Sequence, residues 1–402
     1  MKEISLIRVD GLLANNLSGV NPIDGKMARW SGWGRLGSHH GHLFHWMNSL
    51  HALSESPADR ALSPWRACVA PMLDWTDTHC RTFHRMLSSE ARLYTEMLTT
   101  GALVHGKMMR FLDYNEQEHP LALQLGGSEP ADLAICAKLA QERGYDEVNL
   151  NCGCPSERVQ RGAFGACLMN EATLVADCVK AMLDATGGDP KVPITIKHRI
   201  GIDRVESYEF VRDFVGTIAD AGCQVFIVHA RNAWLKGLSP KENRDIPPLR
   251  YEFVHQLKRE FPHLTMVLNG GLADNAQCVA QLQPGAVLDG VALDGVMVGR
   301  AAYHSPWILS DWDELLFNRA PRAEPLTRAA VEEAIVAYAD AEVARTKGWP
   351  HGEVRWPQVM RHVLGLYHGQ PGARHWRQVW SDHTLKDRLA GEVMALARQR
   401  PQ

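Results

Sequence analysis

"ITIKHR", residues 194–199, opens on β-branched residues and closes on charge. The run is short enough to be one strand, and its apolar start suits a strand buried on both faces. Lys197 at its end then asks for a negative partner, because an unpaired buried charge is costly. Seven further runs share this form: "CVAPM" (68–72), "RLYTEM" (92–97), "LALQL" (121–125), "EVNLN" (147–151), "VFIVHA" (225–230), "TMVLNG" (265–270) and "GVMVG" (295–299). Helical stretches separate them. Eight such runs predict a parallel, closed (β/α)8 TIM barrel, with an open doubly wound sheet as the alternative. The ends of the runs favour the barrel. Met72, Glu96, Gln124, Asn151, Lys197, His229, Asn269 and Gly299 close successive runs. Barrel enzymes draw their chemistry from strand ends all round the ring, whereas an open sheet concentrates it near one switch point.

The flanks differ from this rhythm. Residues 1–63 hold "RWSGWGRLGSHHGHLFHW", with neither helical nor strand period, so an unstructured N-terminal extension is expected there, and Met47 within it offers a later start. The barrel is expected over 64–318. After "APRAEP" (320–325) the chain reads helical through "TRAAVEEAIVAYADAEVA" and "WPQVMRHVLGLYHG", predicting a C-terminal helical domain over 325–402. No stretch of eighteen consecutive apolar residues suggests a membrane span, and the N-terminus lacks the pattern of a secretory signal. The nine cysteines are an odd number scattered through apolar runs, which fits a reduced, cytoplasmic protein.

Net charge is −3, but it is unevenly spread. Residues 341–402 carry ten Lys/Arg against five Asp/Glu, and the remainder carries 33 against 41. A basic end on an acidic body suits an anionic partner, although a solvated helical tail explains the charge equally well.

At the barrel's far side, "NGG" (269–271) and "GR" (299–300) follow the seventh and eighth runs. Loops after these two strands commonly form a phosphate site, where glycine lets backbone N–H groups approach the oxygens, and Arg300 adds charge. Lys197 suits the flavin N1–C2=O edge, where charge builds on reduction; a structural ion pair is its other reading. Gln124 offers donor and acceptor to a pyrimidine-like ring edge, and His229 ends the neighbouring run. Cys152 and Cys154 flank one glycine. A metal site needs more ligands than this pair supplies, and a redox pair normally has two intervening residues. A proton donor remains, since a thiol is mostly protonated at neutral pH yet releases its proton. Cys152 reads as an unreactive loop cysteine.

"APMLDWTDTHCRTFHRML", "LYTEMLTTGALVHG", "QLGG", "GYDEVNLNCGCPSERVQRGAFGACLM", "KHRIGID", "HARNAWLKGLSPKENRDIPPL" and "NGG" resemble the flavin-dependent tRNA-dihydrouridine synthases, in their DusA branch. The resemblance spans about residues 66–380 and leaves 1–63 unmatched. It implies a TIM barrel carrying FMN, followed by a helical domain that grips the D-loop side of tRNA. The implied reaction reduces the C5=C6 bond of D-loop uridines 20 and 20a: NADPH reduces FMN, hydride passes from flavin N5 to C6, and Cys154 protonates C5. The resemblance places FMN contacts on Pro71, Met72, Leu73, Gln124, Lys197, His229, Asn269, Gly270, Gly271, Gly299 and Arg300. It places tRNA contacts on Asn151, Lys241, Arg244, Arg374 and Arg377. It implies no metal, and nothing in the sequence asks for a protein partner or a membrane. Cys152 departs from the small apolar residue expected there, a near-isosteric change. The segment "QPGAVLDGVALDG" (283–295) is longer than expected and reads as a surface loop. Two other functions remain on the residues: a barrel flavoenzyme acting on a free pyrimidine, and a tRNA-binding protein without chemistry. The first leaves the basic tail idle, and the second leaves Cys154 idle.

Overall fold

A computed structural model describes residues 62–399 apart from 107, 286 and 351. The expected extension therefore lies, but for Leu62 and Ser63, outside the described residues. Among the described residues nine strands follow in order: β1 (Ala67–Val69), β2 (Leu93–Tyr94), β3 (Leu98–Thr99), β4 (Leu121–Gly126), β5 (Glu147–Cys152), β6 (Ile194–Arg199), β7 (Val225–His229), β8 (Thr265–Asn269) and β9 (Gly295–Val298). All pair in parallel, in the order β1-β9-β8-β7-β6-β5-β4-β2, with β3 also on β4. β2 and β3 are thus one interrupted barrel position. Val69 donates to the Arg92 carbonyl at 2.9 Å and Arg92 to the Ala67 carbonyl at 3.0 Å, which joins the two ends of the sheet. The result is a closed eight-position parallel barrel rather than an open sheet.

Strand period two divides the core. Cys68, Ala70, Tyr94, Ala122, Ile227, Val267 and Met297 fill the barrel's interior over Trp65. Val148, Leu150, Cys152, Ile196, Phe226, Val228 and Leu268 point outward, under the helices. Because both faces are covered, the strands read as largely apolar runs, broken by polar residues at inward positions of β4, β5 and β6. Each fully buried Leu, Ile or Phe contributes about 1.5–3 kcal/mol through lost apolar surface. Helices start where the sequence supplies caps: the side chains of Asp77, Ser207, Asp274 and Thr327 each accept a backbone N–H of the first turn.

Beyond the barrel lie helices Arg328–Arg345, Trp356–Met360, Ala373–Trp380 and Ala390–Ala397. Their shared core is organised by Glu332, fully buried, which accepts from Trp376 Nε1 (2.6 Å), Tyr367 Oη (3.2 Å) and Arg398 Nε (2.9 Å). They meet the barrel at its first helix, Thr78–Leu87. Asp77, that helix's cap, also receives Arg361 at 2.7 Å and His362 at 3.0 Å, and His79 Nδ1 lies 2.8 Å from the Tyr338 hydroxyl. No helix among the described residues is long and apolar enough to cross a membrane.

Three expectations shift in detail. The first run stops as a strand at Val69, and residues 70–73 lead into a turn in which the Thr76 hydroxyl holds the Met72 N–H at 2.9 Å. "WPQVMRHVLGLYHG" is α-helical only over Trp356–Met360 and continues in turns. Gly365 there lies so close to the barrel that an added Cβ would meet the His304 carbonyl at 2.5 Å. The 283–295 segment is largely exposed, yet Leu293 is buried and Asp294 ties it back to Met266 N at 2.8 Å and to Lys258 at 2.8 Å.

Candidate active site

The inward positions near the C-terminal ends of β4, β5 and β6 are polar. Strand register sets Gln124 beside Asn149, Asn149 beside Thr195, and Asn151 beside Lys197. Gln124 Nε2 donates to Asn149 Oδ1 at 2.8 Å, and Asn151 Nδ2 donates to Gln124 Oε1 at 3.0 Å. Asn151 Oδ1 in turn accepts the N–H groups of Gly153 and Cys154, each at 3.0 Å. This short turn lifts Cys154 off the end of β5.

The two thiols therefore differ in kind. Cys152 points outward into the helix layer, fully buried, and burial pushes its thiol well up, with Cys178, Cys167 and Cys223 adding to the effect. Cys154 is half-buried at the barrel mouth, its Sγ 3.6 Å from the Ser156 hydroxyl, which also caps helix Glu157–Arg161. Gly165 (φ +77°) lets the following turn close over it: a Cβ there would meet the Cys154 carbonyl at 2.7 Å. Charge on Cys154 couples to Lys197, Arg199 and Arg244. A groove of about 930 Å³ runs alongside, between Pro155, Glu157 and Gln160 and the loop 235–240.

Lys197, Arg199, Arg231 and Arg244 form a positive cluster around His229. Burial pushes the Lys197 ammonium down to about 8, with Arg199 adding repulsion. No carboxylate among the described residues pairs with Lys197, so the structural ion-pair reading finds no partner. Arg199 is buried and held by carbonyls, donating to those of Gly153 (3.1 Å), Asn232 (3.0 Å) and Asn243 (2.8 Å). His229 is pushed well below its ordinary range by burial and by these cations, so it is neutral, and its buried Nε2 has no hydrogen-bond partner. Next to it Gly270 (φ +108°) admits no side chain, since a Cβ would meet His229 Cδ2 at 2.8 Å. Gly271 (φ +75°) is as tightly placed against Leu249. Asn269 anchors this turn by donating to the Met297 carbonyl at 2.8 Å.

Of the residues singled out from sequence, Gln124, Lys197, His229, Asn269, Gly270, Gly271, Asn151 and Cys154 converge on this mouth. Gly299 begins the helix after β9, and a Cβ on it would sit 3.8 Å from Met72 Sδ, so the loops after β1 and β9 adjoin. Pro71 precedes Met72 in that loop, and Leu73 is 63% exposed. Arg300 is ion-paired to Asp245 at 2.8 Å, beside Arg244. Lys241 is exposed and starts the turn Glu242–Arg244. Arg374 and Arg377 lie elsewhere, on the exposed face of helix Ala373–Trp380. The side chain of Asn151 is committed to internal bonds. Sequence reasoning missed Arg199, Arg231, Asn149 and Thr195. For Arg199 the signal was spacing: it stands two residues beyond Lys197 and so on the same face of β6, whereas Arg231 lies past the end of β7.

A closed parallel barrel that gathers polar and titratable side chains at the C-terminal ends of its strands has the architecture of a barrel enzyme. A family model for dihydrouridine synthases matches residues 68–399. A tRNA-dihydrouridine(20/20a) synthase of Pseudomonas syringae pv. tomato is 56% identical over 79% of this chain and 88% of its own length. The enzyme of that name from Yersinia pestis is 52% identical over 85% and 93%. Among solved structures, a 2-naphthoyl-CoA reductase complex superposes with TM-score 0.47 at 10% identity, covering 62% of this chain and 50% of that one. The chain belongs to the dihydrouridine synthase family and is an oxidoreductase.

Proposed function

We propose that this chain reduces the C5=C6 bond of D-loop uridines 20 and 20a in cytoplasmic tRNA, with FMN as its bound cofactor and NADPH as electron donor. The observation that carries the reading is the placement of Cys154, half-buried at the mouth and coupled to Lys197, Arg199 and Arg244. A thiol set there, on the turn that Asn151 holds at the end of β5, can give its proton to a substrate in the mouth.

FMN fits the residues present. The unpartnered Nε2 of His229, the unpaired Lys197 and the turn at Gly270 and Gly271, where a Cβ would collide, are features of a ligand cradle rather than of a closed core. Gln124, Lys197 and His229 would hold the ring, and Asn269, Gly270, Gly271, Gly299 and Arg300 the phosphate end, with Pro71, Met72 and Leu73 along the loop after β1. FMN, when bound, supplies the hydride that goes to uridine C6. Cys154 gives its proton to C5, and Asn151 holds the Cys154 turn. Residues 64–318 would form the FMN-binding domain and 325–402 the tRNA-binding one, with Lys241, Arg244, Arg374 and Arg377 toward the RNA. Family membership favours this over a free-pyrimidine enzyme and over a binder without chemistry.

The test separates the two half-reactions. Purified protein should be yellow, and NADPH should bleach it. In Cys154→Ala bleaching should persist while re-oxidation by unmodified tRNA slows by roughly 10²–10⁴-fold, the usual share of a general acid. Cys152→Ala should re-oxidise normally. The reverse pattern would move the acid to Cys152 and defeat the proposal.

A further inference from the structure

The polar side chains at the mouth continue downward as one chain of hydrogen bonds with a single direction. Asn149 Nδ2 donates to Thr195 Oγ1 at 2.7 Å, and Thr195 Oγ1 donates to Glu147 Oε1 at 2.5 Å. Glu147 is fully buried on the barrel floor, where Tyr94 Oη (2.8 Å), Trp65 Nε1 (2.7 Å) and Arg92 (3.3 Å) surround its carboxylate. Such a carboxylate only accepts. The lone Thr195 hydroxyl proton must therefore go to Glu147, which leaves the Thr195 oxygen as acceptor and turns the Asn149 NH₂ toward it. Asn149 Oδ1 then faces Gln124, so Gln124 presents its NH₂ to Asn149 and its oxygen to Asn151. Asn151 can only answer with its NH₂, and its oxygen is left for the N–H groups of Gly153 and Cys154. Reversing any one amide sets donor against donor at one neighbour and acceptor against acceptor at the other. Gln124, Asn149 and Thr195 are each at most 1% exposed, so water cannot relieve the mismatch.

We propose that Glu147 is a remote positioning residue: through Thr195, Asn149 and Gln124 it fixes the turn that carries Cys154 and the edge of Gln124 that faces the cofactor. Its link to the reaction rests on the proposed role of Cys154; its link to the geometry of that turn does not. Neither Glu147 nor Thr195 touches the mouth itself.

Thr195→Val removes both the donor and the acceptor at nearly constant shape, and Thr195→Ser keeps them. The first readout is alkylation of Cys154 by iodoacetamide in the flavin-free protein, followed by peptide mass spectrometry, with half-buried Cys167 as internal reference. Thr195→Val should raise Cys154 labelling relative to Cys167 at least threefold, and Thr195→Ser should return it to the wild-type value. The second readout is tRNA-driven re-oxidation of reduced enzyme, expected to slow tenfold or more in Thr195→Val, with reduction by NADPH changed less than threefold. Wild-type labelling in Thr195→Val overturns the positioning role. Wild-type protein that never re-oxidises with tRNA overturns the proposed function instead, and leaves the labelling contrast standing. Should Thr195→Val not fold, neutron diffraction of the wild-type protein decides: deuterium on Thr195 Oγ1 must point to Glu147, and one on Glu147 Oε1 pointing back refutes the direction.

Discussion

Replacing Arg374 and Arg377 together by alanine tests whether the helical module holds the RNA backbone. Both side chains are exposed on helix Ala373–Trp380, whose Trp376 and Trp380 are buried. Neither has a carboxylate partner among the described residues, so the alternative in which they merely brace the tail loses its contacts. Each phosphate contact adds about 0.7–0.9 to the slope of log affinity against log salt. Losing two should make the slope shallower by roughly 1.4–1.8, so that a tenfold rise in salt costs the variant about 25- to 60-fold less affinity than wild type. Stability should barely move. Arginine and alanine are both good helix formers, and only Arg377 stands in the last turn, where the helix dipole is worth about 0.3–1 kcal/mol. Filter binding of unmodified tRNA at several salt concentrations measures the slope, and calorimetry the Tm. An unchanged slope refutes the phosphate role, and a fall in Tm of much more than about 3 °C with no slope change means the arginines were structural after all.

Other perturbations give equally direct outcomes. Lys197→Met should lower flavin retention yet stabilise the flavin-free protein at pH 7, on the order of 1–3 kcal/mol, because the wild-type ammonium is held at about 8 against its ordinary value near ~10.4. The unfolded chain then binds more protons over that interval, so wild-type stability should rise with pH from about 8 to 10, and the variant's should not. For Asp77, burial opposes ionisation, but the hydrogen bond and charge of His362 and the Cys80 N–H outweigh it and hold the carboxyl well below its ordinary range. Its stabilisation is therefore present above the unfolded value near ~4 and is lost as pH falls through the folded one; Asp77→Asn should cost about 1–3 kcal/mol at pH 7 and flatten the decline in Tm below about pH 5. Glu332→Ala strands Trp376 Nε1 and Arg398 without their acceptor, and should cost about 3–5 kcal/mol in chemical denaturation while leaving flavin reduction by NADPH intact.

The barrel was legible in the sequence because a parallel strand covered on both faces has to be apolar throughout, and it ends where solvent and chemistry begin. All eight runs are barrel positions. Their edges were less legible, for reasons of backbone chemistry. "RLYTEM" is a strand only over Leu93–Tyr94: the Thr95 hydroxyl, not a backbone carbonyl, takes the Gln124 N–H at 3.0 Å, and the ladder resumes beyond the run at Leu98–Thr99. Glycines 365, 369 and 372 similarly break the helical period after Met360, and tight packing of Gly365 against His304 leaves no trace in local sequence.

The site divides along the same line. Lys197, His229 and the "NGG" turn stand out because each violates what its neighbours require: a charge in an apolar run, or glycines where a strand has just ended. Asn149 and Thr195 violate nothing. A threonine is an ordinary strand residue, and an asparagine two before Asn151 shares its face without showing what it meets there. What gives them meaning is lateral: the register that puts Gln124, Asn149 and Thr195 side by side on three strands separated by tens of residues in the chain. Register is set by the closure of the whole barrel, so these contacts exist only once the fold does. The same logic separates Cys152 from Cys154. One residue in between puts both on the same side of an ideal strand, yet β5 ends at Cys152, and the turn held by Asn151 re-aims the second thiol toward the mouth. Strand parity assigns Cys152 to the helix layer; only the side-chain bond of Asn151 can move Cys154 out of it.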